Sequence, residues 1–315
     1  MDLISGRGSI LMLHRVRDEA RDAFEPNRDM AVSPAFLDGF IAAAKKDGYA
    51  FLSLDELAAA LRQGSAHRVL VLTLDDGYRD NLEQALPVFA AHGTPFAVYV
   101  ATDFPERQAR LWWYALEDLL RGRSRLDLAD GSRLACASPA EKLAAFDLLR
   151  GRIVNAKPDE TEAVLNAIFG GDYDWSGLCA REALGWDEIA TLARHPLATI
   201  GAHTMSHPAL ARLSRDRALS EMKGSGELIG RRLGRPVRHF CYPFGGRGEA
   251  DAREFGLARA LGFVTATTTR WGNLYRRHRH HLQALPRIPL TNGFGWAQHR
   301  RQSWRRFLKG PVVTA

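Results

Sequence analysis

Two short stretches hold the side chains best suited to chemistry, Thr73-Leu74-Asp75-Asp76-Gly77 and His203-Thr204-Met205-Ser206-His207. Each follows an apolar run, Val69–Leu72 in one case and Leu197–Ile200 in the other. One carboxylate and two imidazoles make a three-ligand site for a divalent metal, with open positions for water and a substrate. The second carboxylate is then free to act as a base toward a water that the metal has acidified. Histidines four residues apart face one way on a helical turn. Adjacent strand residues point to opposite sides, so Asp75 and Asp76 share a site only where the strand bends at its end. Gly77 permits that bend. Zinc suits two histidines and a carboxylate, and the same donors accept cobalt, nickel or ferrous iron.

Two further positions belong to the same chemistry. His14 ends the apolar run Leu11-Met12-Leu13 and titrates near neutrality, which makes it a candidate general acid. Phe240-Cys241-Tyr242-Pro243-Phe244-Gly245-Gly246 joins an apolar strand to a turn where backbone comes close to a substrate. The Tyr242 backbone N–H is a candidate donor to an oxyanion there. His278, His280 and His281 sit among arginines without a nearby carboxylate and read as an exposed loop.

These residues need elements to hold them. Strands are expected near Ile10–Leu13, Val69–Leu74, Phe96–Ala101, Leu197–Ala202, His239–Tyr242, Phe263–Thr267 and Ile288–Leu290. Most are apolar throughout rather than alternating, as in parallel strands covered by helices. Helices are expected after Ser33-Pro34, after the Ser53/Glu56 capping box, and over Arg79–His92, Trp186–Arg194 and Asp216–Leu233. Gly224 and Gly226 weaken the middle of the last one. The alternation of strand and helix implies an α/β fold, a parallel (β/α) barrel. Both reactive stretches then lie at C-terminal strand ends, where the active sites of such barrels form. Residues 105–181 break the rhythm with helical patterns and read as an inserted subdomain between barrel parts 1–104 and 182–292. A basic tail, 293–315, follows.

The chain has 315 residues and a net charge of +7, with 46% apolar and 25% charged residues, an ordinary balance for a globular protein. Three widely spaced cysteines, Cys136, Cys179 and Cys241, argue against a disulfide framework or a thiolate zinc site. No apolar run is long enough to span a membrane, and Met1–Arg17 lacks the regions of a signal peptide. A cytoplasmic protein is expected.

With these residues in view, the chain resembles the polysaccharide deacetylase family, the NodB-homology group of carbohydrate esterase family 4. Thr73–Gly77 resembles its TFDDG motif with leucine for phenylalanine, and His203–His207 matches H-[ST]-x-x-H. The resemblance implies a distorted barrel, often of seven strands. It also implies Asp75 as catalytic base and Asp76, His203 and His207 as metal ligands. The third motif, R-x-P-[FY], is altered, for Cys241 stands at the arginine position while Pro243 and Phe244 match. The arginine's role of orienting the base then falls to another residue, for which Arg287 in Leu285-Pro286-Arg287-Ile288-Pro289 is the candidate. No late histidine matches the family's usual acid. The pattern comes closer to the poly-N-acetylglucosamine deacetylases, in which an early histidine takes that role, and His14 occupies the corresponding place.

The expected activity is metal-dependent removal of acetyl from an N-acetylated amino sugar, in a polysaccharide or a lipid-linked glycan precursor. The alternatives are hydrolysis of non-sugar amides, of deformylase or ureide type, and carbohydrate binding without catalysis. The basic tail lacks a nucleic-acid motif, so nucleic acid is not an expected partner. Trp304, Phe307 and Leu308 form a helical stripe among Arg300, Arg301, Arg305, Arg306 and Lys309. That pattern suits peripheral contact with an anionic membrane.

Overall fold

Seven runs of buried, β-prone residues pair in parallel: β1 Gly8–Leu13, β2 Val69–Leu74, β3 Phe96–Val100, β4 Ala198–Ala202, β5 His239–Cys241, β6 Thr265–Trp271 and β7 Leu285–Pro289. β1 pairs with β2 on one side and β7 on the other, which closes the sheet into a seven-stranded barrel. A short outer strand, Ala50–Phe51, adds to β2. The computed structural model describes residues 7–18, 23–157 and 159–295. The tail stripe from Trp304 to Leu308, and the membrane contact expected of it, lie outside the described residues. Among those residues no helix is long and apolar enough to cross a membrane.

Parallel strands bury both faces, and all six residues of β2 are buried. Its alternate residues serve two apolar clusters. Leu70, Leu72 and Leu74 pack outward with helix residues such as Leu37, Ile41 and Ile189. Val69 and Val71 join Ile10, Tyr99, Cys241 and Leu285 in a separate inner cluster. Where β1 meets β2 only glycine fits, since a Cβ on Gly8 would lie 2.1 Å from the Val69 carbonyl oxygen. The register sets Leu13 beside Leu74 and Val100 beside Ala202. His14, Asp75 and His203 therefore emerge together at one end of the barrel.

Among the described residues, six α-helices surround the barrel: α1 Pro34–Lys46, α2 Leu54–Gln63, α3 Leu86–Ala91, α4 Trp186–Arg194, α5 Arg215–Leu233 and α6 Ala252–Ala260. α1 starts where the Ser33 hydroxyl accepts the Phe36 N–H, and it buries Leu37, Phe40, Ile41 and Ala44 on one face. Each large side chain so buried contributes about 1.5–3 kcal/mol relative to exposure. α2 opens on the Ser53/Glu56 capping box and sends Leu54, Leu57 and Leu61 into the inner cluster.

The helix expected over Arg79–His92 is broken. A π-helical turn, Asn81–Ala85, precedes α3, and the Leu86 N–H reaches back to the Asn81 carbonyl. Pro87 has no N–H to give, and its ring crowds the carbonyl four residues before it, so the wider turn relieves the clash. The expected exposed histidine loop is also corrected at one position. His278 is buried, and its Nδ1 accepts the Tyr275 N–H at 2.8 Å.

The chain divides into two compact units, the barrel and a second one made of Glu19–Asp29 and Arg107–Arg181. The second unit contains helices Trp112–Arg121, Pro139–Asn155, Thr161–Phe169 and Trp175–Glu182. Leu116, Leu120, Phe146 and Leu149 are buried in it. It also contains a hairpin, Arg125–Asp127 with Arg133–Ala135, where only helical patterns were expected. Asp130-Gly131, with Gly131 at φ 81°, supplies its turn. Asn27 ties the early segment in, donating to Glu117 Oε2 at 2.8 Å and to the Trp113 carbonyl at 3.1 Å.

Candidate active site

The bend that lets both aspartates face one site lies at Asp76 itself. Asp76 has φ 76° and Gly77 φ 81°, both left-handed, a conformation that aspartate tolerates better than most residues. Asp75 follows Thr73 on the inner side of β2, and the turn swings Asp76 round beside it. Both carboxylates are buried.

Asp75 is paired with the chain's own cation. Arg287 Nη1 donates to Asp75 Oδ1 at 2.6 Å and Nη2 to Oδ2 at 2.7 Å, a two-point pairing. Arg287 is fully buried in β7 and is itself held, Nε by the Thr268 carbonyl at 3.0 Å and Nη1 by Thr73 Oγ1 at 3.1 Å. Cys241 occupies the remaining space, its Sγ 3.0 Å from Arg287 Nη2 and 3.7 Å from Asp75 Oδ2. Burial penalises the Asp75 charge, yet Arg287 outweighs it and holds the carboxyl below its usual range. Asp75 is thus an ionised, oriented acceptor.

Asp76 lacks such a cation. Its Oδ1 is buried without a hydrogen-bond partner. It lies 3.4 Å from His203 Nε2 and 3.3 Å from His207 Nε2. His203 Nδ1 is 2.8 Å from the Cys241 carbonyl, an acceptor, so that nitrogen carries a hydrogen and Nε2, facing Asp76, is the atom that takes up a proton or a metal ion. Two basic acceptors and an anion that face one another call for a cation. Their separations match the edge, about 3.3 Å, of a tetrahedron with zinc–ligand bonds of ~2.0–2.1 Å. The three residues fit a divalent ion. Asp75, His203 and Cys241 also cluster, but the Arg287 guanidinium already lies against two of them.

Electrostatics agree with that need. Burial disfavours charge on Asp76, but His207 and His203 more than compensate and hold its carboxyl well below the usual range. Burial likewise opposes protonation of His203, yet Cys241, Asp76 and Asp75 raise its pKa well above 6.5.

His14 stands beside the pair, 26% exposed, with Nε2 4.0 Å from Asp75 Oδ2. Its pKa is lowered by burial, against the pull of Asp75 and Asp76, so the ring is neutral at pH 7. The segment after the aspartates fixes it. Asn81 Nδ2 donates to the His14 carbonyl at 2.9 Å, and Asp80 accepts from the Val16 N–H at 3.1 Å and from Arg15 Nε at 2.6 Å.

The expectation for Tyr242 is overturned. Its N–H donates to the Thr267 carbonyl at 3.1 Å, and its hydroxyl to the Gln283 carbonyl at 2.8 Å. Tyr242 still continues the β5–β6 ladder, so its N–H is not available to an oxyanion. Two residues on, Phe244 has left the sheet. It has φ 58°, is 48% exposed, and its ring lies 4.9 Å from that of His207. The Phe244 N–H makes no hydrogen bond among the described residues. Sequence reasoning matched Phe244 to the third motif but gave it no role, although the adjoining Gly245-Gly246 marks where the ladder ends. It also passed over Asn81 and Glu221, polar residues within helical patterns that look like any solvated position.

Residues 62–266 match the sequence model of the polysaccharide deacetylases. That stretch includes Asp75, Asp76, His203 and His207, whereas His14 and Arg287 lie outside it. No curated protein matches the chain in sequence. The fold is similar to that of the Streptococcus pyogenes deacetylase PplD, solved in complex with acetate, at 19% identity and a TM-score of 0.62. That alignment covers 94% of this chain and 97% of the other. IcaB from Ammonifex degensii aligns at 16% identity and a TM-score of 0.57, covering 94% and 97%. A de-N-acetylase from Aggregatibacter actinomycetemcomitans aligns at 14% and 0.56, covering 93% and 98%. Since the matched stretch spans more than half of its length, the chain belongs to the polysaccharide deacetylase family.

Proposed function

We propose that the protein is a metal-dependent N-deacetylase that removes acetyl groups from an N-acetylated amino sugar in a polysaccharide or glycan precursor. The observation that carries this reading is the buried Asp76 Oδ1, partnerless and within 3.4 Å of both imidazole Nε2 atoms, next to a carboxylate already oriented by Arg287. Asp76, His203 and His207 would hold the ion, with zinc the best suited. When bound there, a divalent ion supplies Lewis acidity toward the acetyl carbonyl and lowers the pKa of water.

The protein's own groups do the rest. Asp75, ionised and fixed by two bonds from Arg287, takes a proton from the attacking water. The Phe244 N–H, which makes no hydrogen bond among the described residues, would serve as a backbone donor to the developing oxyanion. His14 is neutral in the resting site, so it draws the proton from Asp75 and passes it to the leaving nitrogen as the C–N bond breaks. The acetyl carbon keeps the water oxygen and leaves as acetate.

The test is mass spectrometry of acetylated amino-sugar oligomers and sugar-lipid intermediates after incubation with the protein, with and without a chelator. The expected result is loss of acetyl groups with release of acetate, abolished by chelation and restored by zinc or cobalt. Release of formate from formylated substrates instead would assign the site to another amide. Turnover that persists in fully chelated protein would remove the metal from the mechanism.

A further inference from the structure

We infer that Glu221 of α5 is a positioning residue, which clamps the loop between His203 and His207 and thereby sets the affinity of the Asp76–His203–His207 triad for its ion. The inference rests on the metal reading above.

The loop is held in a form that its residues do not favour. Thr204 has φ 67° and His207 φ 59°, both in the left-handed region that residues other than glycine seldom enter. Part of the restraint is local, since Thr204 Oγ1 accepts the His207 N–H at 3.1 Å. Part comes from the end of β3, where the Thr102 and Asp103 N–H groups donate to the Thr204 and Met205 carbonyls at 3.1 and 2.9 Å. The donors between the two histidines point the other way and converge on one carboxylate. Glu221 Oε2 accepts the Met205 N–H at 2.8 Å and the Ser206 N–H at 3.0 Å, and Oε1 accepts the Ser206 hydroxyl at 2.7 Å.

A second contact on α5 completes the cradle. Gly224 lies three residues on, on the same helix face as Glu221. A Cβ there would sit 2.4 Å from Met205 Sδ, so the Met205 side chain lies directly over the helix backbone. A glycine in mid-helix weakens the helix, and here it makes room for the loop.

The consequence is selective. His203 is tied independently through Nδ1 to the Cys241 carbonyl, and Asp76 belongs to the turn after β2. His207 follows directly on the clamped Met205 and Ser206, and its own N–H is held within the loop by Thr204 Oγ1, so a change in the loop acts on it first. Without the carboxylate, two loop N–H groups lose their acceptor, the left-handed residues relax, and His207 moves off Asp76. One ligand of three is then lost or weakened while the barrel stays intact.

The experiment measures zinc affinity of the full chain by competition with a chromophoric chelator, for the unaltered protein and for Glu221→Ala, Glu221→Asp, Glu221→Gln and His207→Ala. Loss of such an outer partner costs on the order of 10–100-fold in metal affinity. Glu221→Ala and Glu221→Asp, whose shorter carboxylate does not reach, are expected to weaken zinc by that factor. Glu221→Gln keeps an oxygen for both N–H groups and should stay close to the unaltered protein. At saturating zinc, all three should regain most of their turnover. If Glu221→Ala does not fold, the Asp and Gln pair carries the test, since only a geometric role ranks the neutral glutamine above the charged aspartate. Affinity that is unchanged in the Glu221 variants but lost in His207→Ala overturns the clamp and leaves the metal reading standing. Affinity that is also unchanged in His207→Ala overturns the metal reading and the clamp with it. Aspartate outranking glutamine shows charge rather than position at work, and overturns the inference as well.

Discussion

Asp75 and Asp76 are neighbours in sequence and are both buried, yet their surroundings are opposite. Asp75 faces a guanidinium that matches it oxygen for nitrogen, at 2.6 and 2.7 Å. Asp76 faces two imidazole nitrogens at 3.4 and 3.3 Å, and its Oδ1 has no hydrogen bond. One carboxylate has its counter-charge built into the fold; the other faces two imidazoles, a donor set that fits a divalent ion. Left-handed backbone at Asp76, continued at Gly77, makes this possible, because φ 76° at Asp76 breaks strand parity and lets adjacent residues share a site without sharing partners. A carboxylate neutralised by protein cannot also ligate an ion well, and one committed to an ion is a poor base. The division of labour follows from where the cation comes from.

The largest effect is expected at Asp76. Asp76→Ala should bind no zinc by elemental analysis and lose turnover on the order of 1,000-fold or more, since both the Lewis acid and its effect on water disappear. The barrel should remain folded, because the removed charge lacks a hydrogen-bond partner on Oδ1. A variant that stays metal-free and active would show that Asp76 is structural.

Asp75 tests the other side. Asp75→Asn should keep its zinc and lose turnover on the order of 100-fold or more, as expected for a missing general base. Removing the cation instead, in Arg287→Met, leaves a buried carboxylate unpaired at a cost of about 3–5 kcal/mol of stability. Chemical denaturation should reveal that loss even in metal-free protein. If Arg287→Met is as stable as the unaltered chain, the pairing at Asp75 contributes nothing to holding the carboxylate in place.

His14 belongs to the Asp75 side, with its Nε2 4.0 Å from Asp75 Oδ2. His14→Ala should slow amide substrates on the order of 100-fold. Esters with good leaving groups need little protonation and should slow far less. Equal slowing of both would make His14 a packing residue of the β1 end.

How far this contrast could be read from sequence depends on which forces set each part. The barrel strands were legible because parallel strands bury both faces and leave continuous apolar runs, as in Val69–Leu74. The α1 and α2 starts were legible because Ser33 and Ser53 cap locally. The residues that come together as Asp76, His203 and His207 could be picked out by type and spacing in the same way. What stayed hidden depends on where a ladder ends or what lies across the fold. The Tyr242 N–H looked free because nothing local says that β5 stays paired with β6 for one more residue. Glu221 looks like a solvated helix residue because its partners are fifteen and sixteen positions away. Pro87 widens a turn that periodicity reads as plain helix, and the Asn81 bond to the His14 carbonyl crosses the fold. The hairpin at Asp130-Gly131 is too short to leave an alternating pattern, with three residues per strand.

The smallest expected effect is a pH dependence of the metal-free protein, and it follows from the same contrast. Without an ion, the Asp76 side takes up a proton as its cation. The His203 pKa is raised well above 6.5, against burial, by Cys241, Asp76 and Asp75. A pKa raised on folding means that the folded state binds the proton more tightly than the unfolded chain does. The resulting stability is complete below about pH 6.5 and is lost as pH climbs through the raised value. Thermal melting of metal-free protein should therefore fall on the alkaline side of neutrality, by on the order of 2–4 °C for each kcal/mol lost. Zinc replaces the proton, so the loaded protein should not show that fall, and zinc affinity should rise over the same interval as the competing proton departs. Asp75 adds nothing there, because its lowered pKa places its own contribution in acid, where stability is lost as pH drops below the usual carboxylate range. A metal-free melting temperature that stays flat or rises from neutral to alkaline pH would mean that His203 is already neutral, and that no cation, proton or metal, is drawn to Asp76.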